Sequence, residues 1–163
     1  MFQPIIGFLI FFFLIIFIIT SSNKSLQNKY DQIIESIKKN DLKLFIEQTT
    51  CSNTTFGMNN RDYLFRKCDF YLTSDAIIIF GYSKYNMFKQ LSTPIILTKN
   101  ITKYKTAFSF AIVKDPVIIS LNQKEDIVIK FGEADLTKTF VKMQIKISCE
   151  ANQNIIKAFT DNF

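Results

Sequence analysis

The chain has 163 residues, 48 % of them hydrophobic, with a formal net charge of +6 and no histidine. The missing histidine excludes Ser-His-Asp and Cys-His catalysis, histidine metal sites and the usual proton shuttle near neutral pH. Cys51, Cys68 and Cys149 are widely spaced with no C-x-x-C pair, which argues against a zinc site.

Met1 to Ile19 contains one polar side chain, Gln3, and no charge, and the next formal charge is Lys24. A helix of about 19 residues rises about 28 Å, close to the roughly 30 Å hydrocarbon core of a bilayer. Three readings compete. A buried core helix predicts amphipathic spacing, yet Leu9 to Ile19 is apolar on every face. A cleaved signal peptide would use Thr20-Ser21-Ser22 as its small-residue site, but Met-Phe-Gln-Pro lacks the basic start. An uncleaved single-pass anchor over residues 1–23 fits best. Lys24 and Lys29 follow the span and nothing basic precedes it, so the positive-inside rule favours a cytoplasmic C-terminal portion, with an extracytoplasmic domain as the alternative.

Residues 24–60 read as a helical hairpin and a connector. Leu26, Tyr30, Ile33, Ile34 and Ile37 recur at spacings of three and four, with Ser25 as N-cap and Lys38-Lys39 in the last turn. Asp41 would cap a second short helix through Leu42, Phe45 and Ile46. Thr49 to Asn60 is polar and turn-rich, as a connection would be. Asn23-Lys-Ser25, Asn53-Thr-Thr55 and Asn100-Ile-Thr102 match the glycosylation pattern, but an asparagine-rich chain produces such matches by chance.

Residues 61–163 change to strand spacing. Predicted strands are Cys68–Leu72, Ala76–Tyr82 after the Thr73-Ser74-Asp75 turn, Pro94–Lys99, Ala107–Val113, Val117–Leu121, Ile127–Phe131 and Phe140–Ser148. In the last of these, Val141, Met143, Ile145 and Ile147 alternate with Lys142, Gln144, Lys146 and Ser148, so one face is buried and one solvated. Ile155, Ile156, Phe159 and Phe163 then form a helical stripe. No βαβ alternation is evident, which argues for an α+β fold with antiparallel pairing.

About seven antiparallel strands closed by one terminal helix resemble the pleckstrin-homology-like (PH-like) barrel. Phe70-Tyr-Leu-Thr-Ser-Asp-Ala-Ile-Ile-Ile-Phe-Gly81 resembles the opening of bacterial PH-like and GRAM-like domains, Leu91-Ser-Thr-Pro-Ile-Ile-Leu97 their third strand, and Ile155-Ile-Lys-Ala-Phe159 their closing helix. The family's terminal helix often carries a tryptophan, which this chain lacks. The resemblance implies a binding or scaffold module rather than an enzyme. The rival fold is a cystatin-like or nuclear-transport-factor-like cone, which the helical pair at Ser25–Gln48 suits; it implies an exported domain binding a small ligand or protein.

Candidate chemistry is sparse. Ala76 to Lys114 holds Lys84, Lys89, Lys99, Lys103, Lys105 and Lys114 with no Asp or Glu, and interleaves Tyr82, Tyr85, Phe88 and Tyr104. Lys84, Lys89, Lys99, Lys103 and Lys105 form the candidate surface for anionic lipid headgroups or a protein partner, each lysine near a membrane contributing on the order of 1 kcal/mol. The competing reading, which the pattern favours, is scattered lysines that solubilise the domain and blunt sheet edges. The expected partner is the membrane itself, through the N-terminal helix. With only Arg61 and Arg66 for bidentate contacts, nucleic acid is not expected. Glu125-Asp126 and Glu133 with Asp135 are paired acids, but they fall in turns, where acids are ordinarily solvated. No catalytic residue, metal or cofactor is assigned.

Overall fold

The computed structural model describes residues 3–39, 42–57, 60–85, 88–122, 126–133, 138–147 and 149–162. The fold is α+β, with a long apolar N-terminal helix, a nearly closed mixed sheet and a C-terminal helix.

The first helix, α1 (Gln3–Lys39), is one unbroken element of 37 residues. Its two halves have different surroundings. Phe8, Phe11, Phe13, Phe17 and Ile18 are each more than 60 % exposed, whereas Tyr30, Ile33 and Ile37 are buried. The apolar stripe expected from Leu26 onward is therefore present. Ser25, expected as an N-cap, lies exposed inside the helix, and helix continues through Thr20-Ser21-Ser22-Asn23. Those four residues are poor helix formers. The Thr20 hydroxyl donates back to the carbonyls of Ile16 at 2.9 Å and Phe17 at 3.0 Å, so it bonds within the helix rather than to an alternative turn.

The expected second helix of the hairpin is instead a strand, β1 (Leu44–Phe56), which also takes up most of the expected connector. The strands that follow are β2 (Lys67–Leu72), β3 (Ala76–Tyr85), β4 (Phe88–Leu91), β5 (Ile95–Thr98), β6 (Ile112–Lys114), β7 (Pro116–Leu121), β8 (Ile127–Phe131) and β9 (Phe140–Ile145). Between β5 and β6 lies a short helix, α2 (Ile101–Ala107), and α3 (Glu150–Asn162) closes the chain. The strand expected over Ala107–Val113 is thus the end of a helix followed by a three-residue strand.

The sheet order is β6-β5-β3-β2-β1-β9-β8-β7, with β4 folded back on β3. Every pairing is antiparallel except β5 with β6, which α2 joins as a parallel crossover. That one pair corrects the expectation of a purely antiparallel sheet of about seven strands. The long β1 belongs to both halves of the sheet: Leu44 to Thr50 pair with β2, and Cys51 to Phe56 pair with β9. Its register shifts between Ile46 and Thr49, where Gln48 has a positive φ of 52°. Such a bulge bends a strand, which lets β1 turn from one half into the other.

Two apolar layers result. Inside the curved sheet, Phe70, Leu72, Ile77, Ile79 and Leu97 from the first half meet Ile129, Phe131, Val141, Met143 and Ile145 from the second, with Ile156 and Phe159 of α3 added. Outside the first half, Tyr71, Ile78, Phe80, Tyr82 and Ile96 lie under Tyr30, Ile33 and Ile37 of α1 and Tyr104 and Phe108 of α2. Both faces of β3 are therefore covered. This explains why Ile77, Ile78 and Ile79 run consecutively without a polar alternation. Gly81 is required by packing: a Cβ there would overlap the ring of Phe65.

Candidate membrane-facing and partner surface

The candidate site grows from the contact between α1 and the β3–β4 hairpin. Asn23 lies on α1 one turn past the apolar run. Its Nδ2 donates to the Lys89 carbonyl at 2.6 Å, and its Oδ1 accepts the Leu91 N–H at 3.1 Å. β4 is an edge strand, so these groups have no further strand to bond, and one amide side chain satisfies both a donor and an acceptor. Two turns on, the Tyr30 ring stacks on Phe80 at 4.2 Å between centroids. Its hydroxyl donates to the Ser92 carbonyl at 2.6 Å and approaches that of Gly81 at 3.1 Å. Buried hydroxyls need such partners, and these bonds fix the helix in register with the end of β3.

The five candidate lysines fall into two groups. Lys84 and Lys89 face each other across the hairpin, and the Lys89 ammonium lies 4.0 Å from the centroid of the Tyr82 ring. Lys103 is at the other end of β3, with its ammonium 2.7 Å from Asp75 in the β2–β3 turn. Lys99 directly follows β5, whose Thr98 pairs with Ala76, and Lys105 is in α2. Ala76 and Lys84 are eight residues apart along β3, which is about 26 Å at roughly 3.3 Å per residue. The structure therefore brings Lys84 and Lys89 together and sets Lys99, Lys103 and Lys105 apart from them.

Lys103 also has a local role. Asp75 accepts from Lys103 and, at 2.6 Å, from the Tyr104 hydroxyl, while its backbone carbonyl accepts from Thr98 Oγ1 at 2.8 Å. This ties α2 to the β2–β3 turn. Burial works against the Asp75 carboxylate, but the Lys103 and Tyr104 hydrogen bonds outweigh it and hold its pKa below the ordinary value. Burial and the bond to Asp75 push Tyr104 up to about 12.

Sequence reasoning did not identify Asn23, Arg61 or Leu64 as parts of this end of the molecule. A 3₁₀ turn, Arg61–Tyr63, and Leu64 approach the hairpin there: Ser83 Oγ donates to the Leu64 carbonyl at 3.1 Å, and Thr93 Oγ1 donates to Asp62 at 2.9 Å. A groove of about 420 Å³ runs between Leu26, Arg61, Leu64, Gln90 and Ser92. A second, open hollow of about 620 Å³ lies between Tyr63, Lys114, Asp115, Val117, Glu133 and Lys138. Pairings of this kind are invisible before the chain is folded, since each joins residues 19 or more positions apart.

Glu125 and Asp135 lie outside the described residues. Asp126 accepts from Gln144 Nε2 at 2.8 Å, and Glu133 is ion-paired with Lys138. Among the described residues no cluster of three or more Cys, Asp or Glu could hold a metal. Cys51 and Cys68 are buried, and the neighbouring Cys51 thiol together with burial pushes the Cys68 thiol well up, away from nucleophilic thiolate character. Cys149 is exposed. No protein-family model, curated protein or solved structure matches the chain.

Proposed function

We propose that the chain is a membrane-anchored, non-enzymatic binding or scaffold module that carries a PH-like domain at the bilayer surface. The observation that carries this reading is the continuity of α1. One helix contains both the apolar segment that is long enough to span a membrane and the Tyr30-Ile33-Ile37 stripe packed on the domain.

The PH-like assignment is supported by strand order. With β4 and β6 set aside, β5-β3-β2-β1-β9-β8-β7 is a seven-stranded antiparallel series, followed by a C-terminal helix that buries Gln153, Ile156 and Phe159. The β4 hairpin arm and the α2–β6 crossover are additions to that plan. The cone-like alternative rested on a helical pair, and the second of those helices is β1.

Alkaline carbonate extraction of native membranes tests the anchor. The full-length chain is expected to stay in the pellet; release into the wash, or recovery only of a chain shortened by the apolar segment, overturns the reading. Topology is tested at Cys149, because Cys51 and Cys68 are buried and unsuited to labelling. The lysine bias favours a cytoplasmic domain, so an impermeant thiol reagent should label Cys149 only after cells are opened. Labelling of intact cells places the domain outside.

A further inference from the structure

We propose, resting on the anchor reading, that the domain is seated on the bilayer by one end. Lys84, Lys89, Arg61 and exposed Leu64 face anionic headgroups, while Lys99, Lys103 and Lys105 point away from the membrane. The inference follows from helix length. The apolar run ends at Ile19, and Asn23 is four residues further, about 6 Å at roughly 1.5 Å per residue. The headgroup layer on each side of a bilayer is about 5–8 Å thick. Asn23 is therefore at headgroup depth, and its two hydrogen bonds bring the Lys89–Leu91 backbone to the same depth.

The opposite end of the sheet is held away. Tyr30, about 16 Å beyond Ile19 along the helix, meets the Gly81 and Ser92 carbonyls, and β3 continues from there toward Ala76 and the α2 lysines. The helix thus sets both the height and the orientation of the domain.

Charge and exposure at the seated end suit an anionic lipid surface. Lys84 and Lys89 are directly opposite each other on an exposed hairpin, an arrangement that repels in solution. Arg61 and Lys24 are exposed at the same end, and Asp62, the acid beside them, is held by Thr93. Headgroup phosphates relieve the repulsion between the two lysines. Leu64 is 62 % exposed beside this cluster, a mostly uncovered apolar side chain at a level where the acyl boundary is within reach.

The test uses the full chain in vesicles of phosphatidylcholine with about one third phosphatidylglycerol. In a Cys149→Ser background, a fluorophore is placed at Leu64→Cys or, as the far-end control, at Thr102→Cys, and lipid-borne nitroxides report proximity. The Leu64 label should be quenched at least about three-fold more than the Thr102 label. Lys84→Glu with Lys89→Glu exchanges one like-charged pair for another, so the hairpin keeps its internal repulsion. That double variant should lower Leu64 quenching at least about two-fold. Equal quenching at the two positions overturns the seating, as does shielding of Leu64 that depends on protein concentration rather than on lipid. Loss of the chain from vesicles at alkaline pH instead overturns the anchor reading, and this inference with it.

Discussion

The two halves of α1 belong to one unbroken helix yet have opposite surroundings. From Phe8 to Ile18 isoleucine, leucine and phenylalanine occupy every face, and Phe8, Phe11, Phe13, Phe17 and Ile18 are well exposed. From Asn23 to Ile37 the apolar residues narrow to one stripe, and that stripe is buried on β3 and β5. What separates the halves is how far the apolar surface wraps the helix, all round in the first and along one stripe in the second. An all-round apolar helix needs a solvent that is apolar all round, whereas a striped helix needs one apolar wall. On the proposed anchor reading, the changeover at Thr20-Ser21-Ser22-Asn23 marks where lipid gives way to protein.

The largest expected effect breaks the comparison at the packed half. Ile33 is fully buried, so Ile33→Ala should destabilise the domain by about 2–5 kcal/mol in thermal or denaturant unfolding. Phe13→Ala, in the exposed half, should leave that transition within about 0.5 kcal/mol of the parent. A comparable loss from both would mean that the two halves share one environment. Next, Tyr30→Phe keeps the stack on Phe80 but removes the donor to Ser92, leaving a carbonyl under-bonded, at a cost of about 1–3 kcal/mol. Asn23→Ala removes both bonds to β4 at the exposed junction. It should cost about 1 kcal/mol and be read most clearly as faster amide exchange at Leu91.

The smallest effect lies at the far end of β3 and is a control for the others. Asp75→Asn removes the negative charge paired with Lys103, and solvent screening keeps the loss below about 1 kcal/mol. The carboxyl is held below its ordinary pKa in the folded state. Its contribution is therefore fully present above about pH 3.9, the ordinary aspartate value, and is lost as pH falls through the lower folded value. The parent should lose stability across that acid window by more than Asp75→Asn does. Parallel pH profiles would remove Asp75 from the account of how α2 is held.

Much of the domain is legible in the residues, and the exceptions have physical causes. β2, β3, β5, β7, β8, β9 and α3 appear close to where their apolar runs and patterning put them, with β8 and β9 alternating between buried and less buried positions. β1 does not. Its inward positions are Leu44, Ile46, Thr49 and Cys51, and the bulge at Gln48 inserts one residue, so the spacing of two is interrupted by a three and imitates a helix. α2 shows only Tyr104 to the core, too little for a stripe to be seen in seven residues. β4 is four residues long and gains its place from Asn23, 66 positions before Lys89. For the same reason the lysine set looked continuous along the chain, although most of the length of β3 separates its two groups.

Continuity of α1 across the changeover underlies both the proposed anchor and the proposed seating of the domain. Amide hydrogen exchange over residues 19–26, measured on the full chain in lipid vesicles, tests it most directly. A single helix predicts protection at Thr20 to Asn23 as strong as in the turns on either side. Fast exchange confined to those four residues would reveal a hinge between span and domain and contradict the account.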